Sequence, residues 1–79
     1  MSTKVTVLPG TLFFIRSTVS IYDTPGPYWE NSWKAKFDSA LIYLGQTETN
    51  FEIVEMKMLT SGGIGWINSE QLERERRDK

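Results

Sequence analysis

Seventy-nine residues with a net charge of −1 and neither Cys nor His define one small domain and remove whole classes of chemistry. Disulfides, thiolate zinc sites and cysteine nucleophiles need Cys, and the commonest general base and metal ligand is His, so an enzyme is not expected. A near-neutral, slightly acidic chain also lacks the basic excess of a duplex-binding protein, and no apolar run approaches the 18 residues needed to span a bilayer.

The twenty Val, Ile, Leu and Phe residues, with three Trp and three Tyr, suffice for a core, although a domain of this length buries only about 60–65% of its unfolded surface. Thr3 to Leu8 reads as a short extended segment ended by the turn dipeptide Pro9-Gly10. Thr11 to Arg16 (T-L-F-F-I-R) is apolar on both faces, which predicts a buried central strand. Val19 to Tyr22 alternates and is broken by Asp23-Thr24-Pro25-Gly26-Pro27, where Asp, Pro and Gly each favour a turn. Trp29, Trp33 and Phe37 stand at helical spacing, but the preceding Pro27 and the flanking strands favour a long loop over Tyr28–Phe37.

Ala40 to Leu44 predicts a second strand, and Gln46 to Asn50 a polar turn. Phe51 to Leu59 predicts the longest strand. Its alternation slips: Phe51 and Ile53 share one phase, while Val54, Met56 and Met58 share the other, with Glu55 and Lys57 outward. One extra residue near Ile53-Val54 reconciles the halves, so a β-bulge is expected there. Thr60 to Gly63 predicts a hairpin turn, Ile64 to Ile67 a short strand, and Asn68 to Gln71 a single helical turn. The predicted core is Leu12 or Phe13, Phe14, Ile42 or Tyr43, Val54, Met56 and Ile67. Residues 1–72 form the domain, and Glu73 to Lys79, with no apolar residue, form a charged, frayed tail.

Short strands, one long loop and no long helix predict an all-β fold, a small barrel that leaves few exposed edges. Gly65-Trp66-Ile67-Asn68-Ser69-Glu70-Gln71-Leu72 resembles the closing segment of Src-homology-3 (SH3) domains and the G-W-V ending of their bacterial relatives. Ser20-Ile21-Tyr22-Asp23 is similar to the A-L-Y-D motif, and Tyr22 to Gly26 fits the bacterial Y-x-x-P-G pattern. The resemblance implies an SH3-like five-stranded barrel with a long loop after the first core strand and a short helical turn near the C-terminus. It also implies a binding module. Asn68 and Gln71 replace the proline and tyrosine of the family's polyproline groove, no W-W pair is present, and the acidic loop is reduced to Asp23 and Glu30. A polyproline ligand is therefore not expected.

The candidate partner-binding residues are Tyr22, Tyr28, Trp29, Trp33 and Trp66, aromatic side chains of the kind that dominate interfaces. Each has a bland alternative, packing on the barrel. The carboxylates Asp23, Glu30, Asp38, Glu48, Glu52 and Glu55 fall in loops or on outward strand positions and read as solvated charges; no cofactor or metal is expected. The first function class is a non-enzymatic protein-interaction module, as in a small viral or bacterial accessory protein that binds and modulates a larger protein or assembly. The alternative is binding of cell-wall glycan or peptide, or of single-stranded nucleic acid on aromatic platforms. With no signal sequence or membrane segment, the expected location is cytoplasmic.

Overall fold

The computed structural model describes residues 7–26 and 30–77. It consists of six strands and one helix in the order β1 (Leu12–Phe14), β2 (Val19–Tyr22), β3 (Ser32–Ala35), β4 (Ala40–Asn50), β5 (Ile53–Thr60), β6 (Gly63–Asn68) and α1 (Ser69–Glu75). All pairings are antiparallel, within one sheet of spatial order β1-β4-β5-β6-β2-β3. The fold is thus all-β with a short helix, as expected. The sheet has six strands rather than five and is not closed, since the ladder ends at β1 on one side and β3 on the other.

The period of two in the strands places one face on a common core. Ile15, Val19, Ile21, Leu41, Met56, Met58 and Ile67 are all essentially inaccessible, with Phe13, Tyr43, Val54 and Leu72 nearly so. Residues from both ends of the strand order share this cluster, so the sheet curves around it. Val54, Met56 and Ile67 are buried as predicted, as are Phe13 and Tyr43 of the paired alternatives. Phe14 is not: it is 41% exposed, with Leu12 beside it at 48%. The run Thr11–Arg16 is not a central strand. Its three-residue β1 lies at one end of the sheet, where the outward face meets solvent.

The longest predicted strand is corrected in the same way. β5 begins at Ile53, and Phe51-Glu52 is the two-residue turn of the β4–β5 hairpin, closed by the Asn50–Ile53 pair. The phase slip arises because turn residues do not alternate, so no bulge stands at Ile53-Val54. The register shift lies instead on β4, between Tyr43 and Thr47. There Gly45 takes φ 88, and a Cβ on it would lie 2.9 Å from Pro9 Cγ. Gln46 to Asn50 is not a turn but the far half of β4. Its polarity reflects a hairpin arm whose residues 44–49 are exposed on both faces, not a break in the strand.

Residues 32–35 form β3, the return strand of a hairpin with β2, where a loop was expected; no described residue of 30–37 is helical. The predicted Thr3–Leu8 segment lies outside the described residues apart from Val7 and Leu8, and Tyr28 and Trp29 lie outside them entirely.

The charged stretch from Glu73 is not frayed through Arg77. Asn68 Oδ1 accepts from the backbone N–H of Glu70 (2.8 Å) and Gln71 (3.4 Å), an N-cap that starts a seven-residue helix rather than one turn. Beyond it Arg76 bridges Ile15, the Arg16 N–H donates to the Glu75 carbonyl (2.8 Å), and the Arg77 N–H donates to the Phe14 carbonyl (2.6 Å). The guanidinium of Arg76 lies 5.6 Å from the Phe13 ring centroid and that of Arg77 lies 6.0 Å from that of Phe14. The C-terminal segment therefore covers the free edge of β1, a site of unwanted pairing if left open.

Candidate functional site: an aromatic pair and the groove beside it

Ile21 and Ile67 point inward, so the alternation of β2 and β6 turns Tyr22 and Trp66 to the outer face. The two are direct cross-strand partners, the point at which the β2–β3 hairpin joins the sheet. Both are half-buried. Opposite Trp66 on β5 stands Lys57, whose Nζ lies 6.0 Å from the indole centroid and donates to Gln46 Oε1 at 2.9 Å. Leu59 and Ile64, another outward pair, extend the apolar strip at 41% and 54% exposure.

Trp33 is separated from this pair. It sits opposite Ile21 on β3 and packs against the core on the inner face. Its ring lies on the β5–β6 turn: a Cβ on Gly62 would fall 2.7 Å from Trp33 Nε1, and one on Gly65 2.8 Å from Trp33 Cη2. Its Nε1–H donates to Thr60 Oγ1 at 3.1 Å, which satisfies the polar end of the indole. Of the five predicted aromatics, the structure therefore brings together Tyr22 and Trp66, places Trp33 on the other face, and does not describe Tyr28 or Trp29.

From Tyr22 the outer face runs into a groove of about 410 Å³ between Gly26, the β4–β5 turn and the first half of α1. Asn50, Phe51 and Ile53 line it from the turn, and Asn68 and Gln71 from the helix start. Phe51 is the most exposed large apolar residue described, at 88%. Phe51 (φ 51) and Glu52 (φ 69) both occupy the left-handed region, where hairpin turns of this length ordinarily place Asn or Gly.

Glu55, expected outward and solvated, does point outward but is only 7% exposed. It lines the groove, and its Oε1 accepts a hydrogen bond from the Gly26 N–H. The β2–β3 loop is pinned a second time by Asp23, which accepts from the Glu30 N–H (3.1 Å) and from Asn31 Nδ2 (3.3 Å). Desolvation raises the Asp23 carboxyl, but hydrogen bonds from Asn31, Glu30 and Thr24 outweigh it and hold the pKa below the usual carboxylate value.

The sequence reading missed Phe51, Ile53 and Glu55 as site residues. The phase slip at Ile53 was the available signal, since it marks a turn as well as a bulge. Among the described residues no group of three or more acidic side chains is placed to hold a metal ion, and no helix is long and apolar enough to cross a membrane. No family model, curated protein or solved structure matches the chain.

Proposed function

We propose that this chain is a non-enzymatic protein-interaction module, a cytoplasmic accessory protein that binds a larger protein or assembly through the outer face centred on Tyr22 and Trp66. The observation that carries the reading is their direct pairing across 44 positions of sequence, on a face continued by Leu59, Ile64 and the Phe51 groove. Aromatic and aliphatic groups held half-exposed on a curved sheet offer area at little entropic cost, and clustered apolar surface of this kind favours a partner that covers it. The SH3-like reading of the fold is supported by the order of hairpin, three-strand meander and short helix, and by the return of Arg76 to Ile15. Asn68 and Gln71 line the groove, and neither supplies the flat wall that a polyproline helix needs.

A second reading, single-stranded nucleic acid stacked on Tyr22 and Trp66, draws on Lys57 over the indole and on Lys34, whose Nζ donates to Ser20 Oγ on the neighbouring strand pair. The acidic hairpin arm, with Glu48 and Glu52, opposes it.

The test is recovery of bound molecules from an extract of the source cells on immobilised wild-type, Tyr22→Ala and Trp66→Ala chains, each first shown to be folded. The partner so identified is then purified and titrated. A protein partner whose affinity falls about 30- to 1,000-fold in either variant supports the module. Nuclease-sensitive recovery favours the second reading, and equal affinity of all three chains for the purified partner overturns the first.

A further inference from the structure

The groove beside Tyr22 has a charge character that the aromatic pair does not explain. Glu55 is more than nine-tenths buried, its carboxylate accepts a hydrogen bond from the Gly26 N–H, and among the described residues no cation is paired with it. Directly across the hairpin stands Glu48, a like charge at a register position where such pairs are unfavourable. From residue 37 to 56 the chain contains no Lys or Arg. Glu70 lines the same groove, and the cation there, Arg74, has its Nε 3.6 Å from Glu75 Oε2. Among the described residues the groove thus sets two carboxylates, Glu55 and Glu70, against one cation, Arg74, which is engaged by Glu75. Because most of the Glu55 side chain is already covered in the free protein while it still lines the groove, a cation brought to its carboxylate gains attraction at a reduced desolvation cost.

On the hairpin side of the groove, Phe51 and Ile53 give Glu55 apolar neighbours. Phe51 and Ile53 are 88% and 43% exposed, and Phe51 is held out at the tip of the hairpin in a left-handed conformation disfavoured for a bulky residue. A Gly at either turn position would relieve that conformation. Strain retained at an exposed aromatic beside a groove is the pattern of a functional surface.

We propose that this groove binds an extended segment of a partner protein in which a Lys or Arg adjoins an apolar residue. The cationic head meets the Glu55 carboxylate, and the apolar side chain lies against Phe51 and Ile53. This deepens the interaction-module reading and rests on it.

The test uses a displayed library of random peptides selected against the full chain, followed by titration of a synthetic peptide of the enriched sequence. Enriched sequences are expected to carry Lys or Arg next to Leu, Ile, Val or Phe, with no requirement for proline. Glu55→Gln, which keeps an oxygen for the Gly26 N–H, should weaken the peptide at least tenfold and flatten its salt dependence. Phe51→Gly should weaken it at least tenfold while melting at or above the wild-type temperature. Glu48→Gln supplies a second charge variant should Glu55→Gln fail to fold, with a smaller loss of affinity. The proposal is overturned if no peptide is enriched, if the enriched peptides lack a basic residue, if Phe51→Gly and the charge variants bind as wild type, or if sedimentation shows that a second copy of the chain fills the groove at micromolar concentration. Unchanged peptide affinity in the groove variants, with natural-partner affinity still lost in Tyr22→Ala and Trp66→Ala, removes this assignment and leaves the module. Unchanged natural-partner affinity in all of them removes both.

Discussion

The two hairpin turns that bound β5 solve the same geometric problem in opposite ways. At Thr60-Ser61-Gly62-Gly63 the turn is glycine-rich, Gly63 takes φ 120, and the Thr60 hydroxyl accepts from the Gly62 N–H (3.1 Å) and donates to the Gly63 carbonyl (2.7 Å). The Trp33 ring closes over it, so the glycines serve both the chain reversal and the approach of an indole. At Asn50-Phe51-Glu52-Ile53 there is no glycine, two side-chain-bearing residues adopt positive φ, and the aromatic ring faces solvent. The first turn is satisfied locally and packed. The second holds conformational strain and an exposed phenyl, neither of which improves folding. A turn optimised for stability looks like the first, and the contrast marks the second as the region shaped by something other than stability.

The largest expected effect disturbs the Trp33 packing beside the first turn, at Gly65 of β6. Gly65→Ala places a Cβ 2.4 Å from Ile21 Cγ2 and 2.8 Å from Trp33 Cη2, with no flexible chain end to yield on the Ile21 side. A loss of about 3 kcal/mol is expected from such overpacking. This is a large share of the roughly 4–8 kcal/mol that a chain of this size has in total. Denaturant unfolding checks it; a midpoint within error of wild type would show that Trp33 does not bear on Gly65.

Removing the segment that seals β1 comes next. A chain ending at Leu72 loses the Arg16–Glu75 and Phe14–Arg77 backbone hydrogen bonds and the last turn of α1, an expected loss of about 2–3 kcal/mol at roughly 1 kcal/mol for each net hydrogen bond. Thermal unfolding of the truncated chain measures it, and an unchanged melting temperature would return residues 73–77 to the status of a solvated tail. The exposed Arg77–Asp38 ion pair, at 2.9 Å, contributes little to this difference.

The open turn is expected to respond in the opposite direction. Phe51→Gly and Glu52→Gly each replace a side-chain-bearing residue at positive φ. Relief of about 1–2 kcal/mol, less the higher unfolded-state entropy of Gly, leaves a gain of about 0.5–1 kcal/mol and a rise of several degrees in melting temperature. Destabilisation by both would show that the strained turn is the optimum for folding and dissolve the contrast with Gly62-Gly63.

The smallest effect is on pH. Because the Asp23 carboxyl lies below its usual value in the folded protein, its contribution is fully present above the unfolded-state pKa and is lost as pH falls through the folded value. The β2–β3 loop should therefore loosen only in acid, and Asp23→Asn should remove that part of the acid dependence. Amide exchange of Glu30 and Asn31 between pH 5 and pH 2.5 reads it directly; identical profiles in the two chains would disconnect Asp23 from the loop.

Much of the strand order was legible because its signals are local. Val54, Met56, Met58 and Ile67 alternate along their strands, Gly62-Gly63 punctuates a hairpin, and Asn68 before Ser69-Glu70 is a helix start readable from side-chain chemistry alone. The Tyr22–Trp66 pairing has no such local signal, because 44 positions separate the two residues. The misread stretches share one cause: exposure depends on what lies alongside. Thr11–Arg16 is apolar on both faces, yet β1 lies at one end of the ladder and its outer side chains meet solvent. Gln46–Asn50 is polar because the arm of β4 outruns the core, and polarity there imitates a turn.

The sequence by itself determined an all-β domain without histidine or cysteine chemistry, the inward phase of β5 and β6, and the start of α1, since periodicity, turn residues and capping act over a few positions. Only the tertiary structure decided which aromatics share a face, that Glu55 is buried against the Gly26 backbone, that the charged C-terminal segment seals β1, and that the chain reverses at Phe51-Glu52. Each of these depends on groups far apart in sequence or on a backbone conformation that the residues themselves disfavour, and no local pattern encodes either.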